Sequence, residues 1–160
     1  AYVMNHILGG GGFTSRLYSE VREKRGLAYS ISSGLNPQRV SASLVGGAGT
    51  ANARVKETLQ VIKTEWHRMA EHGVTKDELN DAKTYLIGAY PLRFSESRQI
   101  ARMLVGIQLA NLGLSYVRNR NGFIAAVTRN DIARVAKRLL DPERLVTVVV
   151  GQPEGLSKKP

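Results

Sequence analysis

The 160-residue chain has no cysteine. That excludes disulfides and thiolate metal sites, and it leaves the compartment open. It has no apolar run of eighteen residues, so no segment reads as a membrane-spanning helix. The N-terminus shows no signal-peptide pattern. Aromatic residues make up only 6% of the chain and are not interleaved with the basic ones, as single-strand nucleic-acid binders require. Acidic residues are scarce: 13 against 23 Lys and Arg, a formal net charge of +10. The positive charges are spread along the chain, with only Lys158 and Lys159 forming a short cluster. They read as a solvated surface rather than a nucleic-acid site, or as a basic wall favouring acidic peptide segments.

An initiator methionine is also missing, and no cap precedes Val3, Met4, Ile7 and Leu8, which follow helical spacing. The chain therefore reads as opening inside a helix of a longer protein, one strand short at its N-terminus. An uncovered sheet edge of that kind tends to pair with another chain, so self-association is expected.

The stretch from Leu8 to Gly34 is the most informative. Four glycines, Gly9 to Gly12, open it. A short amphipathic segment carries Leu17 and Val21 four residues apart, with Thr14 or Ser15 as its N-cap. Lys24 and Arg25 suit the helix dipole in its last turn, and Gly26 fits the left-handed position that ends a helix. A strand begins at Leu27. Arg22 and Tyr29 thus flank one tight turn. Residue pattern alone leaves two readings open. Leu27, Tyr29 and Ile31 alternate, which puts Tyr29 in the core, and Arg22 can be a solvated helix charge. The glycine run fits neither the phosphate-loop nor the dinucleotide fingerprint.

Further along, Asn36-Pro37 marks a turn, and Val40 to Val45 alternates as a hairpin partner closed by Gly46, Gly47 and Gly49. Val55, Leu59, Ile62, Trp66 and Met69 form one face of a long helix that Gly73 ends. His67 and His72 are five residues apart, roughly 140° around a helix, so they cannot ligate one metal together. His67 pairs more naturally with Glu71, and no metal site is expected. Thr75 to Glu78 and Thr128 to Asp131 are capping boxes, stapled by Val74 with Leu79 and by Val127 with Ile132. Pro91 breaks the helix after Thr75. Helices follow at Glu96 to Leu112, Tyr116 to Ala126 and around Ile132 to Leu139. The valine-rich run Leu145 to Val150 reads as a buried strand, and residues 152–160 as a loose tail after a domain of residues 1–151. Strands at both ends with a helical middle make the domain α+β.

LGGGGFTSRLYSEVREKRGLAYSISSG, together with GVTKDELNDAK, YPLRF and VTRNDIARVAKRLLDPERLVTVVVG, resembles the C-terminal, non-zinc domain of the pitrilysin/insulinase family of zinc metallopeptidases, in its bacterial processing-peptidase-like branch. The resemblance covers nearly the whole chain. It implies an antiparallel-rich sheet with helices packed on one face. It implies that Arg22 and Tyr29 hold and polarise a peptide opposite a zinc site, and that Gly9, Gly10, Gly11 and Gly12 contact the substrate. Zinc belongs to the complete enzyme and is bound by none of these residues; an N-terminal domain or a zinc-bearing partner subunit would supply it. The implied substrate is an unfolded peptide, the implied assembly a self-associated or heterodimeric one, and the compartment the periplasm or cytoplasm of a bacterium. This segment alone would be inactive. A non-catalytic binding or assembly module of the same fold is the alternative.

Overall fold

The computed structural model describes residues 1–38 and 40–156. Helix α1, Tyr2–Asn5, continues as a π-helical turn, His6–Gly10. A 3-10 turn at Gly12–Thr14 leads into a second helical segment, whose end, Tyr18–Glu23, is again wound as a π-helix. Strands β1, Ala28–Pro37, and β2, Ala42–Thr50, form a two-stranded antiparallel sheet. Five helices follow: α2 Val55–His72, α3 Lys76–Gly88, α4 Ser97–Leu109, α5 Ser115–Ala126 and α6 Arg129–Leu139. The fold is α+β, an antiparallel sheet with helices packed on it.

The core gathers around the first helical turn. Met4 and Leu8 are fully buried and share one cluster with Val21, Met69, Ala136 and Leu140. Burying a side chain of this size contributes roughly 1.5–3 kcal/mol. The first turn also docks on the sheet. Asn5 Nδ2 donates to the Ser33 carbonyl at 3.3 Å, and the Ser33 hydroxyl donates back to Asn5 Oδ1 at 2.8 Å. A side chain at Gly9 would strike Ser33 Oγ at 2.5 Å and Leu17 at 2.9 Å. The helix reaches the strand because Gly9 has no Cβ.

Both capping boxes form. Thr75 accepts from the Glu78 amide and Thr128 from the Asp131 amide, and each carboxylate returns to the cap residue. The staple residues Val74, Leu79 and Ile132 are buried and Val127 partly so. Pro91 opens a 3-10 turn after α3.

Four expectations need correction. Asn36 and Pro37 are paired strand residues, opposite Ser43 and Ala42. Gly46, Gly47 and Gly49 lie within β2 opposite Ser33, Ser32 and Ser30. Short serines facing glycines let the ladder continue where a turn was expected. The run Leu145 to Val150 is not a strand: Val146, Val148 and Val150 are exposed. β-branched residues favour a strand, yet a strand needs a paired neighbour, and among the described residues none pairs with this run. His67 and Glu71 are both exposed on α2 and form no ion pair among the described residues. Lys158 and Lys159 lie outside the described residues. Of the segment read as a tail, Gln152 and Glu154 are tied to Asn52 by backbone N–H donors.

Candidate functional site

Gly26 takes φ +59°, as the turn between helix and strand requires. The Arg54 guanidinium donates to the Gly26 carbonyl. The Leu27 amide reaches back to Val21 at 2.9 Å, and the Thr50 hydroxyl donates to the Leu27 carbonyl at 2.6 Å. The turn between Arg22 and Tyr29 is thus fixed from three sides.

The register then slips. Ala28 pairs with Thr50 and Ser30 with Gly49, which leaves Tyr29 as an extra, unpaired residue. Such a bulge breaks the alternation of faces and re-aims one side chain. Leu27, Ala28 and Ile31 are buried, while Tyr29 is 84% exposed. The core reading of Tyr29 fails for this reason: period-two counting assumes an unbroken ladder.

Turned outward, the Tyr29 ring lies under the Arg22 guanidinium, 5.2 Å from ring centroid to Cζ. Arg22 also covers the Tyr18 ring at 4.9 Å, and Tyr18 meets Phe13 edge-on at 4.9 Å. One ladder, Phe13–Tyr18–Arg22–Tyr29, therefore runs from the glycine turn to the strand. Sequence reading missed Phe13 and Tyr18. The signal available was the four-residue spacing of Tyr18 and Arg22 on one helical face. The neighbouring cations behave differently. Lys24 and Arg25 both bind Glu20 at 2.6 Å, and these hydrogen bonds hold its carboxyl below the usual range, that from Lys24 most strongly. Arg22 forms no ion pair among the described residues.

Neither Thr14 nor Ser15 accepts a cap hydrogen bond. Their hydroxyls donate to the carbonyls of Gly11 and Gly12, at 3.1 and 2.8 Å. The glycine run divides into two parts. Gly9 is buried against the sheet, whereas Gly10, Gly11 and Gly12 line, together with Phe13, a cavity of about 630 Å³. Gly12 has φ +62°, with open space where a Cβ would sit.

Among the described residues, no three His, Asp or Glu side chains converge to hold a metal ion. His6 stacks on Tyr85, far along the chain from His67 and His72, and burial lowers its pKa. The donors among the described residues do not fit a zinc site.

The model for the peptidase M16 inactive domain matches residues 1–86. The chain belongs to this family. It is 34% identical over 148 residues to an uncharacterized zinc protease of Streptomyces coelicolor, covering 92% of this chain and 32% of that protein. It is 37% identical over 91 residues to a non-peptidase homolog of Helicobacter pylori, covering 57% of this chain and 21% of that one. Among solved structures it superposes on an M16 inactive domain from Pseudomonas fluorescens with TM-score 0.76 and 30% identity, over 89% of this chain and 33% of that chain. The fold is shared as well by a Helicobacter pylori protease, with TM-score 0.77 at 20% identity, covering 88% of this chain and 34% of that one. The chain thus spans about a third of the length of the first curated relative it matches. No helix among the described residues is long and apolar enough to cross a membrane. The pitrilysin/insulinase resemblance and its antiparallel sheet with packed helices therefore hold, and the chain is an M16 inactive domain.

Proposed function

We propose that this M16 inactive domain is the substrate-binding half of a zinc metalloendopeptidase, acting on unfolded peptides. Zinc, which would activate the attacking water, would come from another domain or subunit. The chain's own part is to bind and orient the peptide. The observation that carries this reading is the bulge that turns Tyr29 onto the surface, beneath an Arg22 that no carboxylate among the described residues claims. A guanidinium offers several fixed donors, and a phenol offers one. Donors preorganised in this way suit the negative charge that develops on a peptide carbonyl oxygen during hydrolysis. Gly10, Gly11 and Gly12 would let the peptide backbone approach closely, and Gly9 would fix that turn on the sheet. In an assembly the domain would pair with a zinc-bearing domain or partner subunit.

The test is peptide hydrolysis by the zinc-bearing assembly carrying Tyr29→Phe. Loss of one oxyanion donor typically removes roughly 3–4 kcal/mol of transition-state stabilisation, so turnover should fall about a hundredfold or more. Arg22→Ala should also weaken peptide binding. Wild-type turnover in Tyr29→Phe would end the catalytic assignment.

The similarity to a non-peptidase homolog supports a second reading, a binding or assembly module without hydrolysis. Under that reading Arg22→Ala weakens peptide capture, and no zinc-dependent cleavage appears in any assembly.

A further inference from the structure

The cavity beside the glycine turn holds a feature that the peptide-polarising pair does not use. Arg120, on α5, is only 6% exposed. A buried charge is costly unless something pairs with it. Its Nη1 donates to the Leu86 carbonyl at 2.9 Å and to Asn121 Oδ1 at 3.0 Å. Both acceptors are neutral. Nε and Nη2 make no hydrogen bond among the described residues, and no ion pair there includes Arg120. The guanidinium plane lies over Tyr90, 4.4 Å from the ring centroid, and near Tyr2 at 5.7 Å. Arg93 lines the same cavity, and no Asp or Glu does.

The remaining walls are mostly aromatic rings and glycine backbone, with Thr14, Leu86 and Ala89 between them. Tyr85 stacks on His6 at 5.2 Å and 19°, and Gly10 to Gly12 form the side toward the Phe13 ladder. A pocket with two guanidinium groups, no carboxylate and several rings matches one chemistry: a carboxylate attached to an apolar or aromatic group. Arginine takes carboxylates through two parallel N–H donors, and rings cover the adjoining carbon surface.

We infer that this cavity binds a peptide carboxylate, with Arg120 as the buried anchor, Arg93 at the rim and the tyrosines holding the adjoining apolar side chain. The choice of a peptide as bearer rests on the peptide-binding reading above; the carboxylate requirement rests on the cavity. The carboxylate can be a chain terminus or an acidic side chain. In either case the domain favours peptides with a negative charge near the segment presented to Arg22 and Tyr29.

The test is isothermal titration of the purified chain at low ionic strength with four probes. These are acetyl-Ala-Ala-Phe as free acid, the same peptide as amide, acetyl-Ala-Glu-Phe-amide, and inorganic phosphate. The free acid should bind at least about tenfold more tightly than its amide, as a charged hydrogen bond to a buried donor implies. Amide resonances of Gly10 to Gly12 should move on binding. Preference for the Glu peptide over the Ala amide identifies an acidic side chain as an accepted source; its absence confines the site to chain termini. Equal binding of the acid, the amide and the Glu peptide overturns the proposal, and so does phosphate binding as tightly as the free acid. Arg120→Gln should abolish the acid preference. If circular dichroism shows that variant unfolded, the folded Arg93→Gln decides: a several-fold reduction in preference is expected, and an unchanged ratio overturns the assignment. The titration involves no zinc and no turnover, so this experiment and the turnover experiment fail independently.

Discussion

Arg16 and Arg22 lie on the same helical segment and meet opposite fates. Arg16 is used at two of its three nitrogens, and its buried Nη1 has no hydrogen-bond partner among the described residues. Its Nε donates to Glu78 Oε1 at 2.6 Å, and its Nη2 donates to Glu78 Oε2 at 2.8 Å and to the Gly73 carbonyl at 3.0 Å. Glu78 in turn closes the capping box of α3 by accepting from the Thr75 amide at 2.7 Å. One arginine thus joins the glycine-turn segment to the end of α2 and the start of α3. Arg22, on the outward face, stacks on two aromatic rings and forms no ion pair among the described residues. A charge satisfied inside the molecule holds elements together. A charge stacked on rings and left without an acid is held in position and still has donors to offer. On this contrast the inward arginine is structural, and we propose that the outward one belongs to the site.

The sharpest way to break the contrast is to remove the inward pair. Breaking a buried pair by deleting one partner typically costs about 3–5 kcal/mol, and this pair is partly exposed on the Glu78 side. Arg16→Ala should therefore destabilise the domain by about 3 kcal/mol in urea unfolding. It leaves the Glu78 carboxylate without its partner and α3 without its tie to Gly73. Stability within experimental error of wild type would show that Arg16 is as dispensable as a surface charge, and the contrast would collapse.

Acid should reproduce part of that loss. The Arg16 hydrogen bond, supported by the Thr75 backbone, holds the Glu78 pKa down at about 2 against an ordinary 4.5. A depressed carboxylate stabilises the fold above its unfolded pKa and loses that contribution as pH falls through the folded one. Solvent on the open side of Glu78 screens the interaction, so the contribution is on the order of 1–2 kcal/mol. It should be complete at pH 6 and decline from about pH 4.5 toward pH 2. In Arg16→Ala the decline over that window should be much shallower. Urea midpoints for both proteins from pH 6 to pH 2.5 check this, and parallel curves would remove Glu78 from the explanation.

These residues also show which parts of the molecule were readable. The capping boxes, the helix faces and the turn at Gly26 depend on neighbours within a few positions, so local pattern suffices. The Arg16–Glu78 tie spans 62 positions, and nothing near either residue announces it. The bulge at Tyr29 depends on how β2 is set against β1, and period-two counting cannot register a slip. The valines from Val146 to Val150 satisfy every local rule for a strand, yet strand formation is decided by a partner. The Arg22–Tyr29 pairing came from family resemblance rather than spacing. Phe13, Tyr18 and Arg120 were visible only as ordinary residues until the fold placed them around the glycine turn.

A smaller effect is expected at the foot of the site. Gly9→Ala places a methyl 2.5 Å from Ser33 Oγ and 2.9 Å from both Leu17 and the Ser33 amide nitrogen. Such overpacking typically costs about 1–3 kcal/mol. Gly12→Ala meets open space but must hold φ +62°, so its cost is backbone strain of about 1 kcal/mol. Thermal melts should rank Gly9→Ala below Gly12→Ala. The reverse order would place the close approach at the wrong glycine.

The smallest stability effect should come from the ladder itself, and it is the most useful discriminator. An exposed cation–ring contact contributes about 0.5–1 kcal/mol. Arg22 makes two, and its side chain loses freedom in making them. Surface substitutions of this kind usually fall within about ±0.5 kcal/mol. Arg22→Ala and Tyr29→Phe should therefore melt within a few degrees of wild type, Tyr29→Phe the closer because the ring and its contact with Arg22 remain. The same variants carry the largest expected change in peptide handling. A site residue is recognised by that separation, with stability unmoved and binding or turnover lost. Arg16→Ala should show the opposite, losing stability first and peptide handling only as a consequence. Denaturant melts and peptide titrations of the three variants, run side by side, place each arginine on one side of the contrast. An Arg22→Ala protein that unfolds as readily as Arg16→Ala would make the outward arginine a second structural tie.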